Sequence, residues 1–278
     1  MIKTASQLKG KIKNLAHQDS RRAENLMRLF FMERFLERVS VSDYSNQFIL
    51  KGGMLTASLL GVNMRTTMDI DTTVKALPLT EQDISIVINE ICEIDMHDNV
   101  SFQIKSTETI MDEFEYPGVR LQIEGYFEKL RQAIKIDVST DDVITPGAIE
   151  YEYKLLFDDR IIHIYSYNIE TLLAEKIQTI LSRGTANTRM RDFYDVYMLV
   201  SHQSFSIKTL SSAFLATCSK RKTVFSKEAI RDQMISIAAD KALSERWNQY
   251  LIKNTYASSV PWTEVISDVR SIIENIEL

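Results

Sequence analysis

The chain has 278 residues, with 45% apolar and 26% charged side chains, so it can bury a substantial core and falls among ordinary water-soluble proteins. A net charge of −5 gives no general pull on nucleic acid, and no apolar run reaches the length of a membrane span. The opening MIKTASQLKGKIKN lacks the apolar stretch of a secretion signal, and Cys92, Cys218 and four scattered histidines offer neither a disulfide framework nor metal-ligand spacing; a cytoplasmic protein is expected.

From about Ser6 to Arg38 the pattern is helical. Within ENLMRLFFMERFLERV, Leu26, Leu29, Phe30, Phe35 and Leu36 recur at roughly helical spacing, and Met27, Phe31 and Met32 widen the buried stripe. Residues Ser42 to Asn46 break it. Phe48 to Leu50 then reads as a buried strand, followed by Gly52-Gly53, a short helix from Met54 to Leu60 and a turn at Gly61. A second strand carries Asp69-Ile70-Asp71 and runs to Val74. Thr80 caps a helix with early acidic charge, and three strands follow at Val100 to Ile110, Val119 to Tyr126 and Ala133 to Ser139. Ser139 to Asp159 is acidic and irregular, with a break at Pro146-Gly147, and Ile161 to Tyr165 forms a last strand. Helical periodicity takes over from about Asn168, beginning with a helix from Ile169 to Ser182 that Gly184 closes. The expected division is therefore a core over 1–165 and a helical domain over 166–278. In the latter, Ser206 to Leu278 reads as four or so amphipathic helices anchored by Trp247 and Trp262.

The chemistry concentrates in FILKGGMLTASLLGVNMRTTMDIDTT. Residues two apart on a strand share a face, so Asp69 and Asp71 aim two carboxylates at one point while Ile70 turns to the core. Two such groups stay ionised together only with a cation between them, and all-oxygen ligands suit Mg²⁺. The glycine pair ahead of a helix offers bare N–H groups to an anion. Asp137 lies on the face opposite Ile134, Ile136 and Val138 and could complete a triad in which two carboxylates hold metal and one takes a proton. A solvated strand-face carboxylate is an even alternative for it. Lys176 is either an ordinary exposed lysine or a point charge for phosphate. Asp192 and Asp195 fall at i and i+3 on a helix with Arg191 beside them, which fits a charge network and a site role equally. Basic clusters at Lys9–Lys13 with Arg21-Arg22, at Arg183–Arg191 and at Lys220–Lys222 are more often solvated faces than binding sites.

These residues resemble the AbiEii/AbiGii family, the nucleotidyltransferase-like toxins of type IV toxin–antitoxin and phage abortive-infection systems. The similarity rests on Lys51-Gly52-Gly53, Arg65-Thr66-Thr67-Met68-Asp69-Ile70-Asp71, Ala174-Glu175-Lys176-Ile177 and Arg191-Asp192-Phe193-Tyr194-Asp195, in family order over about half of the chain. The resemblance implies an α+β fold of the DNA polymerase β type: a mixed sheet flanked by helices, plus a helical C-terminal domain. It implies a Mg²⁺-dependent enzyme that takes an NTP and adds nucleotides to the 3′ end of tRNA, so arresting translation. Asp69 and Asp71 would be metal ligands, with Asp137 a third by strand logic. Thr67 would stand where relatives often have serine, near the triphosphate. Arg65 and Lys176 would offset phosphate charge, and Asp192 would belong to a distal acidic motif. Gly53 replaces the serine of the wider superfamily's Gly-Ser, leaving the triphosphate to Gly52 and Gly53 N–H groups or to Thr67. The expected partners are an NTP, tRNA and an antitoxin encoded alongside that forms no stable complex; the chain would act as a monomer. Transfer to a protein or small molecule, and an NTP-binding protein without catalysis, are the alternatives.

Overall fold

A computed structural model describes residues 2–110 and 118–278. The described residues divide into two compact units. The first takes the chain up to Ser58, then Thr66–Asp142 and Ile149–Ser166, and holds every strand. The second takes Leu59–Arg65, Val143–Ala148 and Tyr167–Leu278. The two short excursions into the helical unit leave no mark in the sequence pattern.

The sheet unit opens with α1 (Ala5–Ala16) and α2 (Ser20–Val41). One continuous helix was expected here, but His17 and Gln18 adopt left-handed backbone angles and Asp19 caps α2 through the Arg22 N–H. After β1 (Phe48–Lys51) come α3 (Gly52–Leu60), β2 (Asp69–Val74) and α4 (Glu81–Glu93), with α4 capped by Thr80 as expected. Strands β3 (Val100–Ile110), β4 (Gly118–Phe127) and β5 (Leu130–Thr140) form an antiparallel run. The segment expected to be irregular contains a strand, β6 (Ile149–Lys154), which pairs with β7 (Ile161–Ser166). It is an edge strand that buries only Tyr153 deeply, so its weak alternation Ile149, Tyr151, Tyr153 was masked by Glu150, Glu152 and Lys154.

The mixed sheet runs β3-β4-β5-β2-β1-β7-β6, with β2 parallel to β5 and β1 parallel to β7. One face is apolar: Val119, Leu121, Ile123, Ile134, Ile136 and Val138 are all buried. Phe31 of α2 lies so close to Gly125 on this face that any side chain there would collide with its ring. From Leu29 to Val39 helix α2 is buried on all sides, its charged residues included. Arg38 makes a two-pronged bond to Asp98 (2.9 and 3.1 Å), Arg34 pairs with Glu37 (2.9 Å), and Glu33 accepts the Leu156 N–H (2.9 Å). Burial of ions is tolerated only with partners of this kind.

The helical unit comprises α5 (Ile169–Arg183), α6 (Met190–His202), α7 (Ile207–Lys220), α8 (Lys227–Ala239), α9 (Lys241–Lys253) and α10 (Trp262–Glu274). Gly184 ends α5 as expected, and Pro261 precedes α10. Trp247 is fully buried, stacked on Tyr250 (centroids 5.3 Å apart), and Trp262 meets Phe193 edge-on at 5.2 Å, which makes both tryptophans core anchors. Arg221, counted in a basic cluster on the sequence, faces inward and bonds Gln178 and Thr179. Among the described residues, no helix is long and apolar enough to cross a membrane.

Candidate active site

Strand register assembles the centre. Asp71 of β2 stands opposite Asp137 of β5 on one side and Lys51 of β1 on the other; Asp137 in turn faces Arg120 of β4. One residue row further along, Asp69 stands opposite Lys135. Because the buried strand residues point the other way, this polar row occupies the face away from the apolar core. Asp69, Asp71 and Asp137 each bring a carboxylate oxygen within 4.8 Å of the others, and all three are partly exposed.

Each carboxylate is held differently. The Asp71 Oδ2 accepts the Gly53 N–H (3.0 Å) at the start of α3. Gly52, with φ of +60°, passes so close that a Cβ there would lie 2.1 Å from the same oxygen. The glycine pair therefore seats Asp71, a use of the N–H group that the expectation of an anion cradle did not include. Enclosure and repulsion from Asp69 push the Asp71 carboxyl up to about 6, with Asp137 adding to the rise and the Gly53 N–H opposing it. Asp69 is fixed from the other end. Thr67 Oγ1 donates to the Asp69 carbonyl (3.1 Å), and Lys135 Nζ pairs with Asp69 Oδ2 (2.8 Å). The same ammonium stands 3.5 Å from Asp137, and Arg120 grips both oxygens of Asp137 (2.8 and 2.9 Å). Lys51 turns to Asp142, which also accepts from Ser139 Oγ (2.8 Å).

The helical unit holds the other expected residues. Arg65 and Lys176, expected beside phosphate, are buried against carboxylates. Arg65 donates to both oxygens of Asp195 (2.9 and 3.1 Å), while Lys176 bonds Asp195 (2.7 Å) and Asp192 (3.3 Å). Asp192 and Asp195 do share a face of α6, but the arginine on Asp192 is Arg189 (2.9 Å), placed three residues earlier, and not Arg191. The cations beside it hold the Asp195 carboxyl well below the usual carboxylate range despite its burial. The sequence pattern did not single out Arg120 and Lys135. Lys135 stands beside Asp137 by strand alternation alone, whereas its approach to Asp69 and that of Arg120 to Asp137 follow only from register.

One known family matches most of the chain. Residues 34–271 match the family described as nucleotidyl transferase AbiEii toxin, type IV toxin–antitoxin system. The chain belongs to this AbiEii family. It is thus a nucleotidyltransferase of the toxin–antitoxin class, and membership brings with it an NTP substrate and an antitoxin partner. Two solved structures share the fold. MenT4, a nucleotidyltransferase toxin from Mycobacterium tuberculosis H37Rv, is 13% identical with a TM-score of 0.58, over 96% of this chain and 97% of that one. JHP933 from Helicobacter pylori is 12% identical with a TM-score of 0.53, over 91% of each chain. No curated protein matches the sequence significantly.

Proposed function

We propose that this AbiEii-family enzyme adds nucleotides from an NTP to the 3′ end of tRNA in a Mg²⁺-dependent reaction, arresting translation. The observation that carries the metal dependence is the gathering of Asp69, Asp71 and Asp137 oxygens within 4.8 Å on two adjacent strands. Three hard oxygen donors, one of them with its proton affinity raised by its neighbours, fit a divalent ion. Asp69 and Asp71 would hold the Mg²⁺; when bound, such an ion neutralises and orients the phosphates of the NTP. The acceptor hydroxyl attacks the α-phosphorus, a new P–O bond forms, and the bond to pyrophosphate breaks. Asp137 serves as third ligand or takes the hydroxyl proton, and each of its oxygens keeps a lone pair for this beside its bond from Arg120.

Gly52, Gly53 and Thr67 act by setting the two aspartates in place. Arg65 and Lys176 balance the charge of Asp192 and Asp195, which supports a positioning role for the quartet in preference to direct phosphate contact. Cytoplasmic action as a monomer belongs to the same proposal, and the resemblance supports an antitoxin that forms no stable complex.

The test is incubation of the purified protein with each labelled NTP, Mg²⁺ and total tRNA. Label that ribonuclease removes is the expected result. Label that survives ribonuclease reassigns the acceptor to protein or a small molecule. No incorporation from any of the four nucleotides, together with full toxicity of Asp69→Ala in cells, would show a binding protein in place of a catalyst.

A further inference from the structure

The centre already contains a cation. Lys135 projects from β5 two residues ahead of Asp137, so both side chains stand on the same face of the strand. Its Nζ lies 2.8 Å from Asp69 and 3.5 Å from Asp137, between two of the three carboxylates. Those are also two of the three groups whose oxygens converge tightly enough for a metal ion. The lysine side chain is 33% exposed on a flexible four-carbon stem, whereas Arg120 grips Asp137 in a planar two-pronged pair. Of the two cations, the ammonium is the one that leaves easily.

Charge counting leads to the same place. Three carboxylates face Lys135 and Arg120, since Lys51 is directed to Asp142. With the ammonium in place the group carries about one excess negative charge, a small attraction for a divalent ion. With it withdrawn, the excess becomes about two, which a divalent ion matches.

We propose that Lys135 is an exchangeable counter-ion of the Asp69/Asp71/Asp137 centre, occupying the cation position in the resting protein and competing with the divalent metal for Asp69 and Asp137. The proposal rests on the metal-centre reading above. It makes metal binding an exchange: the ammonium leaves Asp69 and Asp137 when the ion is held. It also gives the resting enzyme a way to keep three carboxylates together without an ion. A displaced ammonium remains tethered to the same strand face, where polyphosphate charge is brought during the reaction.

The competition has a sign that damage to the fold cannot imitate, because a damaged site binds metal more weakly. The experiment titrates Mn²⁺ alone, without nucleotide, into the full chain and follows free Mn²⁺ by electron paramagnetic resonance. Wild type, Lys135→Met, Lys135→Arg and Asp71→Asn are compared. The neutral methionine is expected to tighten Mn²⁺ binding about fivefold, the scale of one partly exposed ion pair given up. Arginine, which keeps the charge, is expected to leave it at or below the wild-type level, and Asp71→Asn to weaken it. Equal or weaker binding by Lys135→Met overturns the exchange while leaving the metal centre standing. Tightening by arginine as great as by methionine overturns it too, since bulk and not charge would then be the cause. Absence of Mn²⁺ binding in every protein, up to millimolar concentration, overturns the metal-centre reading itself and this inference with it.

Discussion

The two units each gather aspartates and cations, with opposite electrostatic results. In the sheet unit, Asp69, Asp71 and Asp137 face one another in a partly exposed row, and Asp71 is driven up to about 6. In the helical unit, Asp192 and Asp195 are buried but separated by cations: Lys176 lies between them, Arg65 spans Asp195 and Arg189 meets Asp192. There the carboxyl of Asp195 is driven down. Crowded like charges are a cost that a fold retains for a cation or a reaction; matched buried charges are a structural joint. On the sequence both are short aspartate motifs beside basic residues, and nothing local separates them.

Substitution should separate the two clusters. The largest expected effect is on catalysis in the sheet unit. Asp69→Asn or Asp71→Asn should lower nucleotide incorporation on the order of 10³-fold, the several kcal/mol that a positioned metal ion supplies. Thermal unfolding of either variant should stay at or above the wild-type midpoint, because a repulsion has been removed. Asp195→Asn reverses the pattern. It leaves Arg65 and Lys176 buried against a neutral group, so urea unfolding should show a loss on the order of 3–5 kcal/mol. An Asp195→Asn protein as stable as wild type would contradict the description of this cluster as a structural joint.

Gly52→Ala tests whether the glycine serves the carboxylate or the helix. The added methyl would need the space of Asp71 Oδ2 and a left-handed backbone. Stability should fall by about 1–2 kcal/mol, and incorporation by about 10²-fold, the scale for a reacting group displaced by an ångström. A loss confined to stability would mean that Asp71 is not the residue Gly52 protects.

A last contrast is in the pH dependence of stability, where the units again oppose each other. Glu33, buried in the sheet unit, is pushed up to about 8 by loss of solvent, against the pull of the Leu156 N–H and of Arg34. The folded state therefore binds its proton more tightly than the unfolded chain does. That contribution is fully present below the ordinary glutamate value and is lost as pH rises through about 8. Asp195 runs the other way: its contribution is present above the ordinary aspartate value and is lost as pH falls into strong acid. Denaturant midpoints measured from pH 5 to 9 should decline for wild type and flatten for Glu33→Gln. Asp195→Asn should lower the midpoint across this whole range without changing its slope, because the titration of Asp195 itself lies in stronger acid.

Local pattern was enough to read most elements. Period-two alternation located β4 and β5, helical spacing with a Thr80 cap located α4, and the Asp69-Ile70-Asp71 alternation required both carboxylates to share a face. These features depend on residues within a few positions of each other, and so does the family pattern that pointed to a nucleotidyltransferase. Edge strand β6 escaped because an edge strand with few buried side chains carries little alternation to detect. The break between α1 and α2 escaped because neither glycine nor proline marks it, although Asp19-Ser20 held the cap signal and residues 17–22 are all polar.

Which charges meet is a different kind of fact. That Asp137 joins Asp69 and Asp71 depends on β5 lying parallel beside β2 in one register; a slip of one residue would turn it into the core. That Lys135 reaches Asp69 and Arg120 reaches Asp137, while Arg65 and Lys176 are taken up by Asp195, follows from contacts across 17 to 130 positions of sequence. The sequence by itself determined most elements, the family and the shared face of Asp69 and Asp71, because those are written in short-range spacing. Only the tertiary structure decided which cations answer them, because Coulomb interactions depend on distance in space and strand register sets that distance.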